Sequence, residues 1–242
     1  MRVQKLKSTG RLFFVSDVHG EIGVLLKGLD ALGFQEGIDL CIHAGDLIDR
    51  GSDSLNTANH FLNDDTQSYF SVLGNHDVFA FENNTEETMG LWYINGGQWA
   101  VDATQGQRDA FGARMKKLPY VIQVEHQGKL FGVVHASVPQ DFKDWNTFIE
   151  NVEYASVKSP IFQEITWDRE FVEYSNCNDF QIPLAGIDYT VHGHTPVREP
   201  LMVGNRLHID TGLVYGKHLT IAEFVDGDFK FYKFDIMGDE KV

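Results

Sequence analysis

Residues 11–34 read RLFFVSDVHGEIGVLLKGLDALGF: a short apolar run, a polar turn and a longer amphipathic stretch. In the amphipathic stretch the apolar residues recur at the three- and four-residue spacing of a helix, as Ile22, Leu25, Leu26, Leu29 and Leu32. These residues therefore predict a strand, a loop and a helix, in that order.

Two later segments have the same design. IDLCIHAGD at residues 38–46 is typical of a strand and is followed by a polar turn and by LNTANHFL at residues 55–62, whose pattern is helical. SYFSVLGNHD at residues 68–77 is a third apolar run with a similar polar end. Strands and helices that alternate across short, glycine-containing turns predict an α/β fold with parallel, right-handed crossovers.

The remainder of the chain continues the same domain. Residues 82–117 have a helical pattern that the sequence INGG interrupts, and residues 120–137 predict a hairpin with its turn at the sequence QG. From Gly186 onward, short apolar runs separated by turn residues predict further strands. A chain of 242 residues suits a single domain, so we expect residues 1–242 to form one.

Residues 139–180 differ in composition from the rest. They contain nine acidic residues against three basic ones, together with nine aromatic residues. We interpret this segment as a helical insertion or cap over the functional site. A solvated acidic face is the alternative interpretation.

The composition limits the partners and the location of the protein. The net charge of −15 argues against duplex nucleic acid or an anionic membrane as a partner, because both attract positive surfaces. Cys41 and Cys177 stand in unrelated contexts and do not suggest a disulfide. The first ten residues lack the apolar core of a signal peptide, and no run is long enough to cross a bilayer, so we expect a cytoplasmic protein.

Polar side chains follow the first three predicted strands at the point where each strand ends. They are Asp17 and His19 in SDVHG, Asp46 and Asp49 in GDLIDRG, and Asn75 and His76 in GNHD. In an open α/β sheet, ligands bind at the carboxyl ends of the strands, where these groups would meet.

Each motif alone is explained by ordinary turn and helix-capping chemistry, which favours Asp, Asn and Gly. Turn chemistry has no special need for histidine, however. Two later runs end in the same way, with His135 in VVHAS and His192 and His194 in VHGHT. The five motifs in order therefore indicate a functional site rather than ordinary turns.

This order of motifs resembles that of the calcineurin-like metallophosphoesterases: DxH, GDxxD, GNHD, a later histidine and a GH pair, within residues 11–212. GDLIDRG has an arginine directly after its second aspartate, and in this it resembles the motif of the phosphoprotein phosphatase branch. WDRE at residues 167–170, with HGHTP and IDTG, resembles the phage lambda and bacterial members of that branch. The resemblance implies two facing mixed β-sheets flanked by helices.

The resemblance also implies two divalent metal ions, with Mn²⁺ expected and Fe or Zn as alternatives. The implied ligands of the first ion are Asp17, His19 and Asp46. Those of the second ion are Asp46, Asn75, His135 and His194. The shared Asp46 would hold the two ions close enough to clamp a phosphoryl group and to activate a bridging hydroxide for direct attack on phosphorus. Either His192 or His194 could be the ligand in VHGH, and the family pattern favours His194.

Four residues carry further implied roles. His76 would be the general acid that protonates the leaving oxygen, held by Asp49, with a third metal ligand or a helix cap as the alternative. Arg50 and Arg169 would bind phosphate oxygens beside Asn75, although Arg169 could instead form a surface ion pair with Asp168 or Glu170.

Two departures from the wider pattern bear on the branch. Pro196 stands where many superfamily members have a second histidine, which supports the phosphoprotein phosphatase branch. Asp77 stands where that branch usually has glutamate, and we treat the change as conservative.

The expected activity is that of a serine/threonine protein phosphatase acting on a phosphorylated protein or peptide. Hydrolysis of a dinucleoside polyphosphate at the same metal site is the alternative, and a binding scaffold without catalysis is a minor one. Five glycines around the motifs are expected to allow close backbone approach in a crowded site: Gly20, Gly45, Gly51, Gly74 and Gly193. Asp210 in IDTG is expected to close a loop.

Overall fold

A computed structural model of the protein describes residues 2–236. The strands are β1 (Val3–Lys7), β2 (Leu12–Val15), β3 (Leu40–His43), β4 (Tyr69–Ser71), β5 (Val121–His126), β6 (Lys129–Val134), β7 (Tyr189–His192), β8 (Leu201–Val203), β9 (Arg206–His208), β10 (Leu219–Val225) and β11 (Asp228–Phe234). The α-helices are α1 (Ile22–Ala31), α2 (Ser54–Leu62), α3 (Asn75–Phe79), α4 (Glu86–Ile94), α5 (Gln105–Met115), α6 (Trp145–Glu153), α7 (Pro160–Trp167) and α8 (Glu170–Glu173). Short 3₁₀ turns lie at Gly97–Ala100, Asn178–Gln181 and Leu213–Tyr215.

The first sheet has the strand order β11-β10-β2-β3-β4. Its strands β2, β3 and β4 are parallel, and Val15, His43 and Ser71 lie level with one another across them. The three predicted strands therefore end at one edge, and α1 and α2 form the crossovers between them, as the sequence pattern indicated.

The second sheet has the strand order β1-β5-β6-β7-β9-β8. The predicted hairpin is present as the antiparallel pair β5 and β6, and β7 lies parallel to β6. Strand β1, which the sequence pattern did not indicate, pairs with β5 at the sheet edge and carries three polar side chains in its five residues VQKLK. An edge strand is stabilised mainly by its partner, so its own sequence predicts it poorly.

Two layers of apolar packing hold the fold together. Between the sheets, Phe14, Phe131 and Phe224 are fully buried, with ring centroids 5.5 Å apart for the first pair and 4.7 Å apart for the second. Burial of each such ring contributes about 1.5–3 kcal/mol to folding. Helices cover the outer faces of both sheets, and the predicted sandwich of two mixed sheets flanked by helices is confirmed.

The aromatic segment at residues 139–180 contains the helices α6, α7 and α8, and four of its nine aromatic side chains are buried. Trp145 is fully buried against Gly132 of β6, and Phe162 packs against Tyr120 with centroids 4.6 Å apart. The end of α7 approaches the strand-end motifs, because Ala136 donates a backbone hydrogen bond of 2.8 Å to Ile165. The segment thus covers an outer sheet face and reaches the site only at its end.

Two other expectations concern the whole chain. Cys41 is buried and Cys177 is exposed, and both are free. Among residues 2–236, no helix has the length and apolar character needed to cross a bilayer.

Candidate active site

The strand-end motifs of both sheets converge on one buried site. In the first sheet, Asp17 lies just after β2, Asp46 just after β3 and Asn75 just after β4. In the second sheet, His135 follows β6 and His194 lies just after β7. Two groups of candidate metal ligands result, with the ligand atoms of each group within 4.8 Å of one another. The groups are His19, Asp46 and His76, and Asp46, His135 and His194.

The Asp46 carboxylate joins the two groups. Its Oδ2 atom lies 3.6 Å from Nε2 of His19 and 3.5 Å from Nε2 of His135. Its Oδ1 atom accepts a 2.8 Å hydrogen bond from the backbone N–H of His76. Asp46 is thus oriented by the third motif so that one oxygen faces a histidine from each sheet.

Two histidines present acceptor nitrogens to this carboxylate. Nδ1 of His19 donates to the Ile48 carbonyl at 2.8 Å and Nδ1 of His135 donates to the Ala44 carbonyl at 2.7 Å, so Nε2 carries the lone pair in each neutral ring. Nε2 of His135 also lies 2.9 Å from Oδ1 of Asn75. Two acceptor atoms that face each other need a cation or a proton between them. A bound metal ion would supply this positive charge.

The charges of the site point to the same conclusion. Burial, reinforced by the Asp210 carboxyl, raises the pKa of Asp17 well above its usual range. Burial also acts to raise the pKa of Asp46, but the neighbouring histidines, His135 foremost, together offset this effect and hold the pKa of Asp46 well below its usual range. In return, Asp46 overcomes the effect of burial on His135 and raises its pKa to about 9. The buried carboxyl groups of the site have few positively charged neighbours, and divalent cations would supply the missing charge. The residues present therefore fit the implied pair of metal ions.

Asp17 contacts the second group through the backbone of His194. Both of its carboxylate oxygens accept from the backbone N–H of His194 at 3.1 Å, and it is a member of neither three-residue group. Gly193 allows this contact, because a Cβ atom there would lie 2.0 Å from Oδ1 of Asp17. Gly74 has the same function beside Asp46, where a Cβ atom would lie 2.2 Å from Oδ1.

The two histidines of VHGH differ in position: His192 is hydrogen-bonded within the sheet, whereas His194 lies in the site. His192 has both ring nitrogens engaged within the sheet, with Nδ1 2.9 Å from the Val134 carbonyl and Nε2 2.8 Å from Oγ1 of Thr190. His194 has Nε2 at 3.2 Å from the Trp167 carbonyl, which leaves Nδ1 as the acceptor in its neutral ring. The structure therefore brings His194, and not His192, to the other ligands.

His76 is held by Asp49 in a buried pair. Nδ1 of His76 lies 2.9 Å from Oδ2 of Asp49, and both side chains are buried. Nε2 is consequently the ring nitrogen available for chemistry or ligation. The ring stacks edge-on against His19, with centroids 4.8 Å apart.

The two arginines lie at the rim of the site. Nη1 of Arg50 is 2.7 Å from Nε2 of His19, and its guanidinium lies 5.5 Å from the centre of the Tyr215 ring. Arg169 is exposed, and among the described residues it pairs with neither Asp168 nor Glu170, so the surface ion pair is absent. Burial and then the charge on His135 lower the pKa of His194 to about 3, and the Arg169 charge acts in the same direction.

Five site residues have left-handed backbones although none of them is glycine. Their φ values are 43° for His19, 63° for Asp46, 75° for Asp49, 69° for Arg50 and 66° for His194. Each such conformation costs about 1–3 kcal/mol and persists only where the surrounding structure enforces it. Strain concentrated in this way is typical of functional sites.

The structure adds three residues whose roles the sequence pattern did not indicate. Asp77 accepts hydrogen bonds from the backbone N–H groups of Asp46, Leu47 and Gly74, at 2.9–3.0 Å, and so joins the second motif to the third. Trp92 and Trp99 donate their indole N–H groups to Asp49. The two tryptophans flank the INGG sequence, but the pattern alone did not indicate what they contact.

Comparison with known sequences identifies similar proteins. Residues 10–198 match the family model of the calcineurin-like phosphoesterases. The chain is 29% identical over 225 residues to serine/threonine-protein phosphatase 2 of Salmonella typhimurium, which covers 92% of each protein. It is also 26% identical over 229 residues to the bis(5′-nucleosyl)-tetraphosphatase PrpE of a Geobacillus species, covering 88% of this chain and 90% of that protein.

Comparison with solved structures supports the fold. The chain aligns with a protein serine/threonine phosphatase from Saccharomyces cerevisiae with a TM-score of 0.69 at 14% identity. The alignment covers 97% of this chain and 84% of the yeast protein. At this identity the likeness concerns the fold alone.

Proposed function

This chain belongs to the calcineurin-like phosphoesterase family, and on that premise we propose that it removes phosphate from phosphorylated serine and threonine side chains of proteins. The family and the phosphatase names of its relatives make the protein a phosphoric ester hydrolase that depends on divalent metal. The choice of phosphoprotein as the ester is the proposal.

The observation that carries the proposal is the position of Asp46. One buried carboxylate faces His19 from one sheet and His135 from the other, at nearly equal distances of 3.6 and 3.5 Å. The residues that would hold the metal pair are the predicted ones: Asp17, His19, Asp46, Asn75, His135 and His194. When bound, two divalent ions would supply Lewis-acid stabilisation of the phosphoryl oxygens and a nucleophile at neutral pH.

The other groups of the site suit an ester whose leaving oxygen is strongly basic. A serine alkoxide is a poor leaving group and needs a proton as the P–O bond breaks. Asp49 fixes the His76 ring through Nδ1, so that Nε2 can carry and donate this proton. Arg50, at the rim beside His19, would bind phosphate oxygens with its planar guanidinium.

Hydrolysis of a dinucleoside polyphosphate is the second candidate. It is favoured by the similarity to relatives named bis(5′-nucleosyl)-tetraphosphatase, which extends over most of the chain. The same metal site would serve both reactions. The identity to these relatives, 23–28%, is lower than the 29–31% to relatives named serine/threonine-protein phosphatases.

A substrate comparison tests the proposal. With manganese present, the protein is expected to release phosphate from a phosphoserine peptide with a higher kcat/KM than it shows for diadenosine tetraphosphate. EDTA and Asp46→Asn should each abolish both activities, whereas Asp30→Asn on the exposed face of α1 should change neither. A preference for diadenosine tetraphosphate would select the second candidate, and activity that persists in EDTA would overturn the metal site.

We further propose manganese as the physiological metal and the cytoplasm as the location. Mixed imidazole, carboxylate and amide ligands suit Mn²⁺, Fe or Zn better than Ca²⁺, and the exposed, free Cys177 is compatible with a reducing compartment. Elemental analysis of protein purified without added metal tests the first point. Cell fractionation tests the second.

A further inference from the structure

Two tryptophans surround the carboxylate that holds His76. Trp92, at the end of α4, donates its indole N–H to Oδ1 of Asp49 at 2.8 Å, and Trp99, in the 3₁₀ turn that follows, donates to the same oxygen at 2.9 Å. The other oxygen, Oδ2, faces Nδ1 of His76 at 2.9 Å. We call residues 92–99 the tryptophan clamp.

The clamp determines which oxygen of Asp49 faces His76. An indole N–H can only donate a hydrogen bond. With two such donors at Oδ1, that oxygen must remain an acceptor, since a proton on it would face two N–H groups. Oδ2 is thereby left as the oxygen that faces Nδ1 of His76, and Nε2 is the ring nitrogen that remains available for chemistry.

Packing within the clamp fixes the direction of these donors. Trp92 is 1% exposed, and its ring meets that of Trp99 edge to face with centroids 5.7 Å apart. Trp99 is held in turn by Phe111 of α5, at 5.5 Å. Gly97 makes room for this packing, because a Cβ atom there would lie 2.4 Å from the Trp92 ring.

The clamp also holds the residue after Asp49. The backbone N–H of Arg50 donates to the Gly96 carbonyl at 3.2 Å. Gly96 has φ of 108°, and a Cβ atom there would lie 2.6 Å from the Arg50 nitrogen. Asp49 and Arg50 are consecutive non-glycine residues with left-handed backbones, and one short segment contacts both.

We propose that Trp92 and Trp99 are positioning residues for catalysis, which act through Asp49 to hold His76 as the proton donor to the leaving oxygen. This inference rests on the proposed phosphatase function. It goes beyond that function by assigning a positioning role to α4 and the 3₁₀ turn that follows it, which supply none of the proposed metal ligands.

The dependence of kcat on the leaving group distinguishes a role in proton donation from a purely structural role of the tryptophans. Proton donation matters for a basic leaving group such as serine and little for 2,4-dinitrophenolate, which departs without a proton. Trp92→Phe and Trp99→Phe each keep an aromatic ring and remove one N–H donor. Each is expected to lower kcat roughly tenfold on a phosphoserine peptide, the effect of one charge-assisted hydrogen bond, and to leave kcat on 2,4-dinitrophenyl phosphate nearly unchanged, with KM unaltered for both substrates.

Trp145→Phe is the matched control. Trp145 is also fully buried, and its indole N–H also donates to a side-chain oxygen, that of Gln123 at 2.8 Å, but it does not contact the site. Its replacement should lower the melting temperature as Trp92→Phe does and should not change the ratio of the two kcat values. If Trp92→Phe is too unstable to purify, Trp99→Phe, at a half-buried position, carries the test alone.

The inference is overturned if the tryptophan variants lower kcat on both substrates by the same factor, or on neither. His76→Asn is the internal standard, and it should change the ratio in the same direction and by a larger factor. If His76→Asn also leaves the ratio unchanged, the acid assignment in the proposed function is wrong as well. If only the tryptophan variants fail to change the ratio, the proposed function stands and the clamp has a structural role alone.

Discussion

At the scale of single residues, the two rim arginines differ in how firmly they are held. Arg50 follows Asp49 in a constrained left-handed turn and lies against His19 and Tyr215. Arg169 stands on the short turn before α8, where Asp168 accepts hydrogen bonds from Ser137 and from the backbone N–H of Glu170. The turn is thus tied to the end of β6, and the Arg169 side chain is left exposed to meet a ligand.

Arg169→Ala is expected to weaken substrate binding more than catalysis. Loss of a charge-assisted hydrogen bond to phosphate should raise KM roughly tenfold and leave kcat within about twofold. Steady-state kinetics on a phosphoserine peptide measures both constants. Arg11→Ala, just before β2 and at the opposite end of that strand from Asp17, is the control, and an equal change in KM for the two variants would assign Arg169 to the surface.

At the scale of elements, the site depends on glycines at the junctions between strands and loops. Gly193 lies between β7 and His194 and has an ordinary backbone conformation, since its φ is not positive. Its contact with Asp17 is therefore a matter of space alone. The same holds at Gly74, which precedes α3 and touches Asp46.

Gly193→Ala is expected to displace Asp17 and to lower the metal content of the protein. The added Cβ atom would lie 2.0 Å from Oδ1 of Asp17, and overpacking of this kind costs about 1–3 kcal/mol of folding free energy. Thermal unfolding and elemental analysis measure the two effects.

Gly90→Ala is the matched control for this substitution. Gly90 lies in α4, and no atom of the described residues would lie within 4 Å of a Cβ atom added there, so alanine should stabilise the helix by about 0.5–1 kcal/mol. Retention of full metal content by Gly193→Ala would show that Asp17 is not a ligand.

At the scale of the whole molecule, the metal site couples stability to pH. In the metal-free chain the pKa of His135 is raised to about 9, so the folded state binds its proton more tightly than the unfolded state does. The stabilisation is fully present below pH 6.5 and is lost as the pH rises through about 9. Its size is at most roughly 3 kcal/mol.

The Tm measured in EDTA should therefore fall between about pH 6.5 and 9, and His135→Asn should remove most of that fall. A metal ion must displace the same proton, so the difference in Tm between manganese and EDTA should widen over this range. Differential scanning fluorimetry across the pH series measures both trends. A constant difference would mean that His135 does not bind the metal.

Much of the site follows from the sequence because its motifs stand at strand ends. Apolar periodicity marked β2, β3, β4 and the later hairpin, and parallel strands necessarily present their carboxyl ends at one edge. The residues after those strands, Asp17, Asp46 and Asn75, were therefore expected to meet, whereas the place of His135, which follows a strand of the other sheet, was implied by the family resemblance. Local periodicity and strand polarity are properties of the chain itself.

Other features were decided only by tertiary packing. Both histidines of VHGH share a strand end, and the hydrogen bonds that occupy His192 come partly from β6, far away in the sequence. The donors to Asp49 lie 43 and 50 residues further along the chain, on an insertion whose own pattern predicts only helix. Residues 139–180 were expected to form an insertion or cap over the site, and their own pattern did not indicate that Trp145 would pack against Gly132 of β6. Periodicity specifies which face of an element is apolar, whereas the neighbour that this face meets depends on how the completed elements pack together.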